Sequence, residues 1–201
     1  MRLYLASQSP RRRALLAQVG IGFDTLSLRQ GQRSDHEVDE TPQHGEPAEA
    51  YVERLARAKA AHGSRIITLR HLMPQPILAA DTTVEIDGDI IGKPENDTHA
   101  LQILKRLSGR THRVLTAIAV LLDSRVESAL SVSEVRFRPL EDKEIRHYLL
   151  SGEHRDKAGA YGIQGRAALF VEHLAGDYNG VMGLPLCQTA QLLKRFGFTV
   201  L

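Results

Sequence analysis

Tryptophan is absent from this sequence, and cysteine occurs once, as Cys187. A lone cysteine excludes an internal disulfide, and its apolar Leu184-Pro185-Leu186 setting suggests packing rather than nucleophilic use. With aromatic residues at only 5%, a surface that stacks single-stranded bases has little to build on. Charge of one sign is also lacking. The 26 basic and 24 acidic residues leave a net charge of +2, too small for a whole-protein field that holds nucleic acid stably. No apolar run approaches the roughly 20 residues that span a bilayer. Met1 to Ser7 runs straight into Arg11-Arg12-Arg13 without an apolar secretory core, so the expected location is the cytoplasm. Several catalytic signatures are missing too. The nine histidines show no H-E-x-x-H pairing, no Cys/His set has zinc spacing, and neither G-x-x-x-x-G-K-[ST] nor G-x-S-x-G occurs.

What remains is ordinary for a globular chain of 201 residues, with 42% hydrophobic and 25% charged. Arg2 to Ala6 reads as a short buried strand. Ser9 then suits an N-cap, Pro10 a first helical position and Gly20 the C′ position of a helix over Arg11 to Val19. Ser27 to Glu46 has no usable periodicity and reads as a long polar loop, a class that is usually functional or mobile. From Pro47 to about His62 a helix is expected, with Lys59 at the edge of its buried face. Ile77-Leu78-Ala79-Ala80 has the pattern of a central strand and is read as ending at Asp81. Asp87-Gly88 between apolar triplets is a hairpin signal. Helices are expected over the Leu101, Leu104 and Leu107 stripe, from Glu141 to Leu150, and after Pro185. Strands are expected at Val114 to Leu122, Val126 to Phe137, Ala167 to Leu174 and Gly180 to Gly183. The result is one α/β unit over residues 1–201, with a mixed sheet flanked by helices.

Four groups could carry chemistry. Ser7-Gln8-Ser9-Pro10 followed by three arginines places cations at a helix N-terminus, where backbone N–H groups already favour anions. That arrangement makes sense for an anion of several charges. Successive helical residues lie about 100° apart, so one or two of the three arginines can reach such a ligand. Asp39-Glu40 in the long loop supplies oxygen donors of the kind Mg²⁺ takes, although Glu40 alone reads more readily as a solvated loop residue. Asp81 stands where ligands meet open α/β sheets, with a structural capping role as an even rival. Lys93, in Gly92-Lys93-Pro94, lies beyond the hairpin, where a regular register puts it on the face opposite Asp81; for both to touch one ligand, Gly92 must break the register or Lys93 must curl around the end.

These residues fall into blocks that resemble the Maf family. They are Leu5-Ala6-Ser7-Gln8-Ser9-Pro10-Arg11-Arg12, Val38-Asp39-Glu40-Thr41, Leu55-Ala56-Arg57-Ala58-Lys59-Ala60, Ala80-Asp81-Thr82, Gly92-Lys93-Pro94, Leu107-Ser108-Gly109-Arg110-Thr111-His112 and Gly183-Leu184-Pro185-Leu186. They occur in family order. Asp156-Lys157-Ala158-Gly159-Ala160-Tyr161-Gly162-Ile163-Gln164-Gly165 further resembles the branch acting on dTTP and UTP. The resemblance implies hydrolysis of a nucleoside triphosphate between its α and β phosphates. It also implies a divalent cation (Mg²⁺ or Mn²⁺), a homodimer, and a two-lobed fold similar to the inosine triphosphate pyrophosphatases with a central cleft. By position, Asp81 would be the catalytic base and Glu40 its partner in holding metal and water. Ser7, Ser9, Arg12, Lys59 and Lys93 would bind substrate, while Arg11, Thr82 and Gln164 would set base specificity. Glu37 is a rival for the role of Glu40, because the loop before it is longer than the family usually has. Arg65 to Pro76 is expected to be a variable surface connection. A non-catalytic regulator of septum formation is the alternative that the same resemblance carries.

Overall fold

The computed structural model describes residues 2–26 and 38–200; Glu37 and most of the long polar loop lie outside them. The first apolar run forms strand β1 (Leu3–Leu5), with Leu3 and Leu5 fully buried. Helix α1 (Pro10–Gln18) starts as its sequence requires. Ser9 caps it by accepting from the Arg12 backbone N–H, Pro10 opens its first turn, and Gly20 follows its end with φ of +71°. Strand β2 (Phe23–Thr25) runs parallel to β1. It is too short and too polar to leave a periodic signal.

Helix α2 (Ala48–Leu69) continues past His62 for a physical reason. Gly63 brings it so close to strand β3 (Ile77–Ile86) that a Cβ there would lie 3.1 Å from Ile77 Cγ2. Ile66 and Ile67 then prolong the buried stripe. The expected surface connection from Arg65 to Pro76 therefore begins as helix. β3 differs from expectation as well, since it runs straight through Asp81, which pairs with Ala117. The hairpin to β4 (Asp89–Ile91) has the anticipated register, Ile86 opposite Asp89 and Val84 opposite Ile91.

Helix α3 (Asp97–Leu107) is capped by the Asn96 side chain. Strands β5 (Thr111–Leu122) and β6 (Arg125–Phe137) form a long antiparallel pair, and α4 (Asp142–Leu149) follows with a capping box between Glu141 and Glu144. The two strands expected near Gly176 are corrected. Arg166–Leu169 is a 3₁₀ turn before β7 (Val171–Ala175), and Tyr178–Met182 is helix α5. Asp177 drives the latter by accepting from Asn179 N, and Gly183 stops it with φ of +111°. Helix α6 (Leu186–Arg195) completes the chain. None of the described helices is long and apolar enough to cross a membrane.

The strands form one mixed sheet in the order β2-β1-β3-β5-β6-β7, with β4 paired to β3. On one edge of β3, β1 covers only Ile77 and Leu78, and β4 covers only Val84 to Ile86. Ala79 to Thr83 thus have a strand partner on the β5 side alone among the described residues. This gap is where the sheet opens into a cleft. Helix α2 covers one face through Val52, Leu55, Ala56 and Ala60 against Ala79, Leu115, Ala117 and Ala119. The alanines on both surfaces let helix and sheet approach closely. Helices α1 and α6 cover the other face through Leu15, Leu16, Leu192 and Leu193. Beyond the gap, α3 and α4 enclose a third cluster around Phe137.

His112 sits in that third cluster, 2% exposed, with Nε2 2.8 Å from the Tyr161 hydroxyl and its ring edge-on to Phe137. Burial pulls its pKa from 6.5 down to about 4. The unfolded chain therefore takes up a proton that the native state refuses, so stability is lost as pH falls from 6.5 towards 4. At about 1.4 kcal/mol per pH unit the contribution reaches ~3 kcal/mol. Asp81, whose carboxyl is raised by burial, acts in the opposite sense. We expect His112→Gln to flatten the loss of denaturant stability between pH 7 and pH 4.5. An unaltered slope in urea titrations would assign it to other groups.

Candidate active site

The cleft at the gap in β3 has a volume of about 1110 Å³, enough for a nucleotide-sized ligand. Because neighbouring strand residues point to opposite faces, Asp81 and Thr82 present two different walls at the same edge.

On the α1 side, Arg12 folds back over the helix N-terminus. Its Nε donates to Gly183 O at 2.8 Å, Nη1 to Ser7 Oγ at 3.2 Å, and Nη2 to Thr82 Oγ1 at 3.1 Å. Thr116 donates to Gly180 O at 2.7 Å, so in its 2.9 Å contact with Thr82 it must be the acceptor. One directed chain then runs from Arg12 through Thr82 and Thr116 to the α5 backbone. Arg11 donates to Met182 O at 3.3 Å. Arg13 bonds Gln8 O and stays outside the cleft. Two of the three arginines thus line it, in keeping with the 100° spacing.

On the α2 side, Lys59 Nζ lies 2.5 Å from Asp81 Oδ1 and 2.6 Å from Glu40 Oε1. Lys93 Nζ stands 3.6 Å from Glu40 Oε2. Of the two courses open to Lys93, the break at Gly92 is the one taken: the β3–β4 ladder stops at Val84 and Ile91, so register no longer governs the chain from Gly92 onward. The loop carrying Glu40 is fixed from several directions. Tyr51 Oη donates to Glu40 O at 2.9 Å, and Arg54 grips Glu46 with two bonds of 2.7 Å. Asp39 turns its carboxylate onto Thr41 N. Of the acidic pair, Glu40 is the member that joins the cations.

Burial raises the Asp81 carboxyl above its ordinary value, although Lys59 and Arg12 pull the other way. Burial also acts upward on Glu40, but there Lys59 and Lys93 outweigh it and hold the group below the usual range. Burial pushes Tyr51 to about 12, with help from Asp81 and Glu40. Arg12 is pulled down by burial and supported by the charge of Asp81. Six cations (Arg11, Arg12, Lys59, Lys93, Arg155, Lys157) line the cleft with four carboxylates (Asp39, Glu40, Asp81, Asp156), an excess of two positive charges.

The third wall is the turn-rich segment 156–165. Gly159 has φ of +71°, and a Cβ on it would lie 2.8 Å from Val84 Cγ2, so glycine is required there on both counts. Its N–H bonds Gly92 O at 3.1 Å, tying this wall to the turn that carries Lys93. Gln164 is exposed on this wall and lines the cleft, as do Ser7 and Ser9 near α1.

The profile of the Maf-like protein family matches residues 2–196. The chain belongs to the Maf family. It is similar to the dTTP/UTP pyrophosphatase of Dechloromonas aromatica (strain RCB), 62% identical over 198 residues and 98% of both chains. The dTTP/UTP pyrophosphatase of Aromatoleum aromaticum is 60% identical, covering 98% of this chain and 96% of that one. Among solved structures, the Staphylococcus aureus Ham1 protein aligns with a TM-score of 0.46 and 14% identity, over 68% of this chain and 72% of that one.

For a Maf protein, the donor set can be tested against a divalent cation. Among the described residues no three His, Cys, Asp or Glu side chains cluster. Two carboxylates, Asp81 and Glu40, do converge, on Lys59. Mg²⁺ is commonly held by one or two carboxylates together with waters and substrate phosphates, so this pair fits as a partial shell that phosphate oxygens complete. Two cleft residues escaped the reading of the sequence. Tyr51 falls on the apolar row of α2 in the sequence pattern, and only the fold shows its hydroxyl on Glu40. Lys157 was passed over although it is the one cation in the segment 156–165.

Removing the Lys59 ammonium should raise the Asp81 carboxyl further, since Lys59 lowers it now. A ¹³C-carboxyl NMR titration of Lys59→Met is expected to show Asp81 protonating at higher pH than in the wild type. Identical titration curves would mean that Lys59 does not hold Asp81 ionised.

Proposed function

We propose that this chain hydrolyses pyrimidine nucleoside triphosphates, dTTP and UTP, between the α and β phosphates to give the monophosphate and pyrophosphate. The observation that carries the reading is the Asp81–Lys59–Glu40 bridge facing Arg12 and Lys93 in one cleft, within a chain closely similar to enzymes of that name.

A triphosphate brings several negative charges, and the excess cationic charge of the cleft matches them. Lys59, Lys93 and Arg12 would position the phosphate chain and neutralise charge as it shifts onto leaving pyrophosphate. Ser7 and Ser9, beside the N–H groups that open α1, add donors at the same end. Asp81 has the character of a general base. Its burial raises proton affinity while Lys59 keeps it ionised, and it can orient a water and take its proton. Glu40 and Asp81 would hold Mg²⁺ or Mn²⁺ with the phosphates, and such a cation supplies further charge neutralisation at the transferred group. Gln164 offers one donor and one acceptor to a pyrimidine edge, and Arg11 and Thr82, which line the same cleft, would share in base selection as the family resemblance implies. We also propose a cytoplasmic homodimer with no stable nucleic-acid or membrane partner.

Purified protein given dTTP or UTP with Mg²⁺ should release pyrophosphate, and chelation should stop it. Asp81→Asn should keep the fold and lose at least the roughly 10²-fold typical of general acid–base catalysis. Glu40→Gln should raise the Mg²⁺ concentration needed for half-maximal rate. Orthophosphate as the product, or near-wild-type turnover in Asp81→Asn, would overturn the assignment.

A further inference from the structure

Lys157 is a cation of the cleft that neither active-site carboxylate engages. The leading charges on Asp81 are those of Lys59, Arg12 and Glu40, and the leading ones on Glu40 are those of Lys59 and Lys93. Lys157 instead feels Arg11, Glu153 and Asp156. It therefore stands apart from the Asp81 centre, on the wall that carries Gln164.

Its position is built rather than incidental. A Cβ on Gly162 would lie 3.0 Å from Lys157 Cε, 3.3 Å from Lys157 Cδ and 3.5 Å from Gln164 Oε1. The bare glycine lets the lysine stem and the glutamine amide meet over one point. Gly162 does not have a positive φ, so space rather than backbone freedom calls for glycine here. The Lys157 ammonium donates to Glu153 O, while the Glu153 carboxylate is turned to Arg166 N at 2.8 Å. Lysine has three N–H donors and no acceptor, so donors remain for a ligand. The turn is braced at both ends, by Ala160 N to Lys157 O at 3.1 Å and by Gly159 N to Gly92 O at 3.1 Å.

This geometry bears on which base the cleft accepts. Uracil and thymine present O4 as an acceptor where cytosine presents an amino donor. Gln164 cannot settle the choice alone, because rotating its amide exchanges donor for acceptor. A lysine cannot make that exchange. We propose that Lys157 is a specificity-determining residue whose ammonium donates to O4 of a uracil or thymine base beside Gln164, and that it thereby rejects cytosine. The proposal rests on the pyrophosphatase reading above and adds the group that distinguishes keto from amino pyrimidines.

The test compares kcat/KM for pyrophosphate release from UTP and CTP in the wild type, Lys157→Met and Lys157→Gln, with thermal melts of each. The wild type should prefer UTP. Lys157→Met should lower UTP use by about tenfold or more, in the range that a lost site-specific hydrogen bond gives, while CTP use stays within about twofold. Lys157→Gln introduces an acceptor and should raise CTP use relative to UTP, which decides the matter if the Met variant melts early. Equal losses on both substrates would make Lys157 a phosphate ligand and overturn the proposal, as would an unchanged UTP-to-CTP ratio. A wild type that releases no pyrophosphate from either substrate would instead bring down the hydrolase reading, and this proposal with it.

Discussion

A carboxylate in the middle of a central strand is an expensive object, because the desolvation of an unpaired ion in a protein interior amounts to several kcal/mol. Asp81 is in that position, its side chain only 10% exposed, and Lys59 is the cation that meets it. Much of the architecture follows from keeping those two groups together. Helix α2 must run across the β3–β5 face at the right height. The alanines at 56 and 60, set against those at 79, 117 and 119, let it come close enough for a lysine one residue off the buried row to reach the strand. Gly63 holds the next turn against Ile77 in the same way. The long buried extension of α2 is thus the support of the ion pair as well as part of the core.

The gap in the sheet does the complementary work. Had β1 continued beside β3, or had β4 kept pairing beyond Val84, both walls around Asp81 and Thr82 would be closed by backbone. Because the two neighbours stop short, one strand edge exposes consecutive residues that face opposite sides. Asp81 delivers an acid to the α2 wall, and Thr82 anchors Arg12 on the α1 wall. Carboxylate and guanidinium chemistry therefore sit on either side of a single strand, reachable by one ligand that lies across its edge.

The legibility of these features in the sequence depended on how local their causes are. The Ser9 cap, the Pro10 start, Gly20 and the Asp87-Gly88 hairpin are fixed by residues within a turn of each other, and all appear as read. Asp81 looked like a strand end because a charge normally interrupts a buried run; only the cross-strand partner Ala117 and the cation Lys59, 22 positions away, make it tolerable in mid-strand. The segment 180–183 looked extended because its apolar residues are few, whereas the Asp177 cap and Gly183 stop set a short helix. Lys93 reaches the site by the route its sequence leaves open, because strand pairing ends at Ile91 and Gly92 releases the chain from the hairpin register. Arg11 and Arg12 both line the cleft, and the carbonyls that hold them there, Met182 and Gly183, lie 171 positions away.

The same accounting indicates which part of the cluster yields when an anion enters. Lys59 bridges both carboxylates, so a phosphate that approaches Lys59 competes with them for one ammonium. Asp81, with a side chain only 10% exposed, has little bulk solvent to replace a lost partner. Glu40 has a side chain 43% exposed and sits on a loop held by its backbone carbonyl rather than by its carboxylate. Separating Lys59 from Glu40 leaves a carboxylate that solvent, Lys93 or a divalent cation can satisfy; separating it from Asp81 leaves a buried charge with Arg12 as its remaining support. The energetic order is therefore set by burial: the loop carboxylate is the cheaper partner to displace, and the strand carboxylate is the one that stays to orient water in the proposed reaction.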